Sequence, residues 1–328
     1  MAAKIRIIIV LEKSEAAKNF LFYQPFNNFS YFCLSKMCVM KKQVFSLLLL
    51  ITFAVNFIFA QTSSDSVVLN LSTWNIDTLT PHLVLKRLSI QNKSLFNSNQ
   101  NISILEIDTA RSSLRMEFVY SDTLTRTSSF CKKNKAFAAI NGTFFFMKSG
   151  KSTDYIRIHG RKIADNVPKE GRRKSYKNGL LALFAHSPQL SIILPDTNLF
   201  FEDSLAQESV LTAGPMLLFA DSVLPYIQNS FSLGRHPRTG VGITHDNKIL
   251  WVVVDGHSSH AAGMSLKEFA YTMKYLDVAT LLNLDGGGSS TLYINDGKHG
   301  MINFPSDNGK FDHYGERRVA SAVLLFTE

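Results

Sequence analysis

The densest run of chemistry-bearing residues is Asn283-Leu284-Asp285-Gly286-Gly287-Gly288-Ser289-Ser290-Thr291. An acid ends an apolar run, three glycines follow, and three hydroxyls close the string. Consecutive glycines cost backbone entropy and make sense where a ligand approaches the main chain closely. The N–H groups of Gly286, Gly287 and Gly288 can form an anion-binding nest, and the Ser289 and Ser290 hydroxyls add donors. The string is not a GxxxxGK[ST] phosphate loop, because it has neither that spacing nor a lysine. A second acid-glycine pair, Asp255-Gly256, ends another apolar run. Paired carboxylates serve glycosyl transfer through an oxocarbenium-like state. Each pair taken alone also reads as a plain strand end. Beside a glycine loop the same two acids can hold a divalent cation such as Ca²⁺ or Mg²⁺. The sequence requires no cofactor, and no HxxH or CxxC spacing supports a transition metal.

Further candidates surround these acids. Arg238, held between Pro237 and Thr239, offers a fork for phosphate oxygens. Asn141 can hold a sugar hydroxyl or acetamide. Glu268 fits a helix cap better than a catalyst, and His236 and His260 fit structural or surface roles. The run Phe144-Phe145-Phe146 fits a core better than a sugar platform.

The elements that position the acids follow from periodicity. Residues 249–254 form a continuous apolar, β-branched run, which predicts a buried strand. Ser265 with Glu268 three residues on is a capping box. Leu266, Phe269, Ala270, Met273 and Leu276 then recur at helical spacing, predicting a helix over about 265–276. A second apolar strand over 279–284 completes a βαβ unit, whose strands are parallel. Asp255 and Asp285 are thereby expected at one carboxyl edge of a sheet, where ligands of open sheets bind. Alternation predicts strands over 102–107, 114–120, 136–140, 291–294 and 318–326, with a hairpin turn at Asn295-Asp296-Gly297. Residues 61–100 are polar and broken, with a strand-like piece at 66–71. Residues 161–178 form a basic loop, either a polyanion contact or a solvated loop. The expected fold class is α+β, or mixed α/β. It is one domain with an extended mixed β-sheet, the βαβ unit at about 249–284, and helices packed on the sheet.

The segment Met40-Lys41-Lys42 followed by an apolar run to Ala60 has the build of a secretory signal peptide. Residues 1–39 then precede the true start at Met40 or Met37. Residues 61–100 are an N-terminal extension of the domain over 101–328. The expected location is secreted or periplasmic, with no stable membrane span after cleavage. The chain of 328 residues is 45% hydrophobic and 19% charged, an ordinary globular composition for which disorder is not the default reading. Its formal charge is +9, but residues 1–60 carry seven Lys/Arg and two acids, leaving +4 for the rest. That remainder suits a phosphate-binding cleft and does not call for a nucleic-acid partner. Cys131 alone remains after Ala60, so no intramolecular disulfide forms, and no catalytic signature surrounds it. The sequence leaves the oligomeric state open.

Several segments together resemble the phosphodiester glycosidase domain family. They are Asn141-Gly142-Thr143-Phe144-Phe145, Arg235-His236-Pro237-Arg238-Thr239-Gly240-Val241-Gly242, residues 252–258, Gly263-Met264-Ser265-Leu266-Lys267-Glu268 and residues 283–291. Asn303-Phe304-Pro305-Ser306-Asp307 and Arg318-Val319-Ala320-Ser321-Ala322 close the series. They run in the family's order across about 136–327. The chain departs from the pattern at Thr143 for Gly, Gly240 for Ala and His257 for Arg. The resemblance implies hydrolysis of a sugar-1-phosphodiester of the N-acetylglucosamine type, on surface or extracellular glycans. It implies catalytic roles for Asp285, Asp255 and Arg238. It implies substrate-binding roles for Asn141, Gly142, Thr143, Thr239, His257, Arg318 and Gly286 through Ser290. A hydrolase of ordinary glycosidic bonds and a glycan-binding module without turnover are the rival readings.

Overall fold

The computed structural model describes residues 65–109, 114–165, 178–184 and 189–327. The expected signal segment and upstream start lie outside these residues, as does most of the basic loop. An eight-stranded sheet carries most of the candidate site. Its strands are β1 (Asn75–Thr80), β2 (Leu83–Leu95), β3 (Ser98–Ile107), β11 (Met216–Phe219), β12 (Ser222–Val223), β13 (Arg238–Thr244), β14 (Ile249–Val254) and β15 (Val278–Asn283). Their spatial order is β1-β2-β3-β14-β13-β15-β11-β12. A five-stranded sheet holds β4 (Arg115–Arg126), β5 (Ala138–Asn141), β16 (Leu292–Ile294), β17 (Gly300–Met301) and β18 (Arg318–Phe326), in the order β17-β16-β5-β18-β4. A second five-stranded sheet holds β6 (Ile156–Ile158), β7 (Arg161–Ala164), β8 (Gly179–Leu183), β9 (Leu190–Ile193) and β10 (Ser209–Ala213).

The fold is therefore mostly β, with few helices. Every strand pair among the described residues is antiparallel, which corrects the expected mixed sheet. The strand-helix-strand segment exists, but β13 lies between β14 and β15 and pairs antiparallel with both. The two flanking strands thus run in the same direction without touching. Hydrophobic periodicity reports strands and helices, but not which strand enters between two others.

The crossover helix α4 (Leu266–Tyr275) follows α1 (helical over 65–71), α2 (Thr127–Lys133) and α3 (Ser230–Leu233). The predicted capping box at the start of α4 is present. Ser265 Oγ accepts from Glu268 N, and Glu268 Oε2 accepts from Ser265 N at 2.8 Å. Its buried face, Leu266, Phe269, Ala270 and Met273, packs with Val252, Val254 and Leu281 of the eight-stranded sheet. Truncating Phe269 to alanine would cost about 3–5 kcal/mol. A Cβ on Gly240 would lie 2.8 Å from Phe269 Cζ. The space an alanine would take at 240 is occupied by that ring.

Two readings of the N-terminal region are corrected. Residues 66–71 are helical rather than extended, because Leu69 is buried with Leu88, Ile90 and Phe96. Residues 75–107 are not broken. They form the antiparallel strands β1 to β3, and Ile102–Ile107 of β3 pairs with the whole of β14.

Candidate active site

The carboxyl ends of β14 and β15 and the start of β13 meet at one edge of the eight-stranded sheet. Pro237, just before β13, is packed between the two acid-glycine corners. A Cβ on Gly256 would lie 2.7 Å from Pro237 N, and one on Gly286 would lie 2.7 Å from Pro237 O. Only glycine permits that approach on both sides. Gly287, with φ of +60°, donates from its N–H to Pro237 O at 2.9 Å.

The two aspartates arrive at this edge in different states. Asp255 is 1% exposed and fully engaged. Its Oδ2 accepts from Asn101 Nδ2 at 2.6 Å, and its Oδ1 accepts from Asn303 Nδ2 at 3.0 Å and Phe304 N at 2.9 Å. Burial pushes its carboxyl up, while these three donors and the His313 charge push it down. Asp285 is half-buried. Burial pushes its carboxyl up to about 6, against the Ser289 hydroxyl, the Arg317 charge and the Gly286 N–H. Although Ser289 Oγ influences the carboxylate, it makes no well-formed hydrogen bond, and neither do Ser290 Oγ and Thr291 Oγ1. A carboxyl near 6 in a cleft is poised to exchange protons near neutrality.

The cation at this carboxylate is Arg317. Its Nε and Nη2 donate to Asp307 Oδ1 at 2.8 and 2.5 Å. That pair lies against the glycine turn. A Cβ on Gly288 would meet Asp307 Oδ1 at 2.6 Å and Arg317 Nη2 at 2.7 Å. Arg318, the residue singled out from sequence, is exposed at the start of β18 opposite Arg126. Arg317 lies in the loop just before β18, where its pairing with Asp307 holds it against the glycine turn, whereas Arg318 is the first residue of the strand. His257, with φ of +59°, also reaches this region. Its Nε2 lies 3.1 Å from His236 Nδ1. Partial burial lowers its pKa, helped by the positive charges of His236, Arg238 and Arg317.

The remaining sequence candidates form the frame. Asn141 is fully buried at the end of β5. It donates to Asp285 O at 2.7 Å and accepts from Thr239 Oγ1 at 2.9 Å and Thr291 N at 3.0 Å. One side chain thus ties two sheets and holds the Asp285 backbone. Gly142 O accepts from Asp285 N at 3.2 Å. Thr143 Oγ1 donates to Thr212 O and Asp154 Oδ2. Of the three glycine N–H groups expected to form a nest, that of Gly287 bonds to Pro237 O, and the N–H groups of Ser289 and Ser290 close the turn on Gly286 O and Gly287 O. Arg238 is 0% exposed. It donates to Met264 O, Phe231 O and Gly234 O at 2.6–3.0 Å, and burial lowers its pKa to about 10.

Beside this frame lies a cavity of about 410 Å³ walled by Phe144, Phe145, Phe146, Tyr226, Ile227 and Phe231. The aromatic run expected in the core instead lines this opening, with Phe146 59% exposed. Among the described residues, no cluster of three or more His, Cys, Asp or Glu is arranged to hold a metal ion. No described helix is long and apolar enough to cross a membrane.

Known proteins share the fold. Residues 134–326 match the model of the family described as phosphodiester glycosidase. A stretch of 91 residues is 31% identical to mouse (Mus musculus) N-acetylglucosamine-1-phosphodiester alpha-N-acetylglucosaminidase. That stretch is 28% of this chain and spans only 17% of the mouse protein. The catalytic domain of the zebrafish enzyme of the same name, auto-inhibited by its pro-peptide, superposes with a TM-score of 0.58 at 17% identity, covering 81% of this chain and 94% of that one. A hypothetical protein from Synechocystis superposes at 0.59 with 12% identity, over 78% and 64% of the two chains. A putative exported protein from Burkholderia pseudomallei does so at 0.52 with 16% identity, over 70% and 74%. The family match covers more than half of the chain and contains Asn141, Arg238, Asp255, Asp285 and Arg317. By that match the chain belongs to the phosphodiester glycosidase family.

Proposed function

We propose that this protein hydrolyses sugar-1-phosphodiesters of the N-acetylglucosamine type at the Asp285 edge, releasing the sugar and leaving a phosphomonoester. The observation that carries the reading is the half-buried Asp285 carboxylate opening a glycine turn against which the Arg317–Asp307 pair is packed. A phosphomonoester is a weakly basic leaving group, so it departs without a strong general acid. It needs its charge neutralised instead. Ionised Asp285 takes a proton from water as the water oxygen bonds to the anomeric carbon. The bond from that carbon to the phosphate oxygen breaks, and its electron pair leaves on the phosphate. Arg317, oriented by Asp307, meets the developing charge, and the His236–His257 pair lies on the same side. Asp255, Asn141, Thr239, Gly142 and Thr143 act as positioning residues, because their polar atoms already hold the loops together. Arg238 contributes a buried charge behind the site. The turn Gly286–Gly288 provides close access, with Ser289 and Ser290 beneath it. A divalent cation is not assigned a role.

Purified protein incubated with N-acetylglucosamine-1-phospho-mannose, UDP-N-acetylglucosamine and an aryl N-acetylglucosaminide, read by sugar release, tests this function. Release from a phosphodiester, faster than from the aryl glycoside, is expected. Cleavage of the aryl glycoside alone, or binding with no release, overturns the proposal. We also propose that the protein works outside the cytoplasm on surface or extracellular glycans, after cleavage following Ala60. Intact-mass analysis of the exported chain should then begin at Gln61. A mature chain that retains 40–60 refutes it.

A further inference from the structure

The cavity beside the Asn141–Thr143 and Arg238 frame differs in character from the site itself. Its walls are Phe144, Phe145, Phe146, Tyr226, Ile227 and Phe231, with Pro215 and Leu266 completing an apolar surface. Three of the five polar side-chain atoms there are already engaged, the Tyr226 hydroxyl and the exposed Asn229 amide nitrogen being the other two. Asn229 Oδ1 accepts from Ser232 N at 3.0 Å, Ser232 Oγ bonds to the Asn229 backbone, and Thr153 Oγ1 donates to Asp154 Oδ2 at 3.0 Å. A nucleobase or second sugar entering this space carries more donors and acceptors than the wall could pair, at a desolvation cost. A featureless hydrocarbon chain would not.

Two connections join the cavity to the reacting end. Phe144 follows Asn141-Gly142-Thr143, of which Asn141 and Gly142 hold the Asp285 backbone from both sides. The Phe231 ring lies under the Arg238 guanidinium at 4.8 Å, and Phe231 O accepts from Arg238. Arg238 is fully buried, makes no ion pair among the described residues, and its Nη1 has no partner. A buried cation without a counter-ion favours an anion nearby. The molecule therefore sets the buried Arg238 charge, its Nη1 without a partner, behind the Phe231 wall of an apolar cavity open at Phe146 and Ile227. Both rim residues are themselves exposed, at 59% and 48%.

We propose that this cavity is the aglycone subsite, and that the aglycone is an alkyl or isoprenoid chain esterified to the phosphate. This rests on the phosphodiester reading above and names the half of the substrate which that reading leaves open. The chemical class is an anionic amphiphile: sugar on one side of the phosphate, hydrocarbon on the other.

The test has two arms. In the first, calorimetry compares octyl phosphate with methyl phosphate, on wild type and on the Phe146→Ala/Ile227→Ala double variant. Both rim side chains are exposed, so the fold is not at stake. Octyl phosphate should bind wild type at least ~10-fold more tightly than methyl phosphate, since each buried methylene adds to the transfer free energy. The double variant should reduce that ratio to below about threefold. Equal binding of the two phosphates overturns the proposal, as does a preference untouched by the double variant. In the second arm, N-acetylglucosamine-1-phosphate diesters of octanol and of methanol are compared as substrates. A lower KM for the octyl diester is expected, and an equal KM overturns the proposal. If octyl phosphate binds as expected but neither diester is cleaved, the amphiphile subsite stands and the phosphodiesterase reading falls.

Discussion

Asn303 donates from one amide nitrogen to Asp255 Oδ1 and to Ser290 O, each at 3.0 Å. That single side chain ties the corner after β14 to the loop after β15. It explains why Asp255 behaves as part of the frame. Every donor around its carboxylate is a fixed amide or backbone N–H, so the site requires an acceptor on both oxygens.

Asp255→Asn should therefore lower stability as well as activity. The new amide N–H₂ would face Asn101 Nδ2 or Asn303 Nδ2, donor against donor. One lost and one opposed buried hydrogen bond cost about 1–3 kcal/mol. Chemical denaturation read by circular dichroism measures this. An unchanged midpoint would show that the carboxylate is not a structural acceptor.

Asp285→Asn should do the reverse. Turnover should fall about 10²-fold, the usual scale for a positioned base. Stability at pH 7 should hold or rise. The reason is the sign of the pKa shift. The native carboxyl titrates near 6 and the unfolded one near 3.8. Between those values the native state holds a proton that the unfolded state has lost, so wild-type stability falls as pH rises through this window. Asparagine removes a penalty on the order of 1–3 kcal/mol. Melting curves at pH 4 and pH 7 for both proteins measure it, and a variant less stable than wild type at pH 7 would contradict it. Wild-type kcat/KM should also drop below about pH 6, as the base is protonated.

The adjacent arginines give a sharp contrast. Arg317→Lys keeps a charge but loses the fork on Asp307, and phosphodiester turnover should fall at least ~10-fold. Arg318→Ala should leave turnover within about twofold, because Arg318 is exposed and shares neither the Asp307 pairing nor the approach to Gly288 that Arg317 has. Steady-state kinetics of the two variants decide the matter. The reverse ranking would restore Arg318 as the functional residue.

Cys131 should resist thiol reagents in the native protein. Its Sγ donates to Ala136 O at 3.2 Å within a core cluster, and burial pushes the thiol up to about 12. Thiolate is the reactive form, so native labelling should be slow and should become fast in denaturant. Rapid native labelling would mean that α2 opens readily.

The acid-glycine corners, the helix with its Ser265–Glu268 capping box and the buried strands on either side were legible from residue order, because each rests on local chemistry. A capping box and a 3.6-residue periodicity act within a few residues. The ordered motif series carried the family for the same reason. Tertiary structure decided the rest. It inserted β13 between β14 and β15, so the two Asp-Gly corners came to sandwich Pro237. It engaged both oxygens of Asp255 with Asn101, Asn303 and Phe304, and left Asp285 half-buried near an arginine. It turned Arg317 rather than Arg318 toward the glycine turn, and set Phe144–Phe146 around an opening instead of in the core. These outcomes depend on pairing between segments far apart in sequence, such as Asn101 with Asp255, 154 residues on. Residue type states what a side chain can do. Only the packing of distant strands determines which of its atoms are already taken.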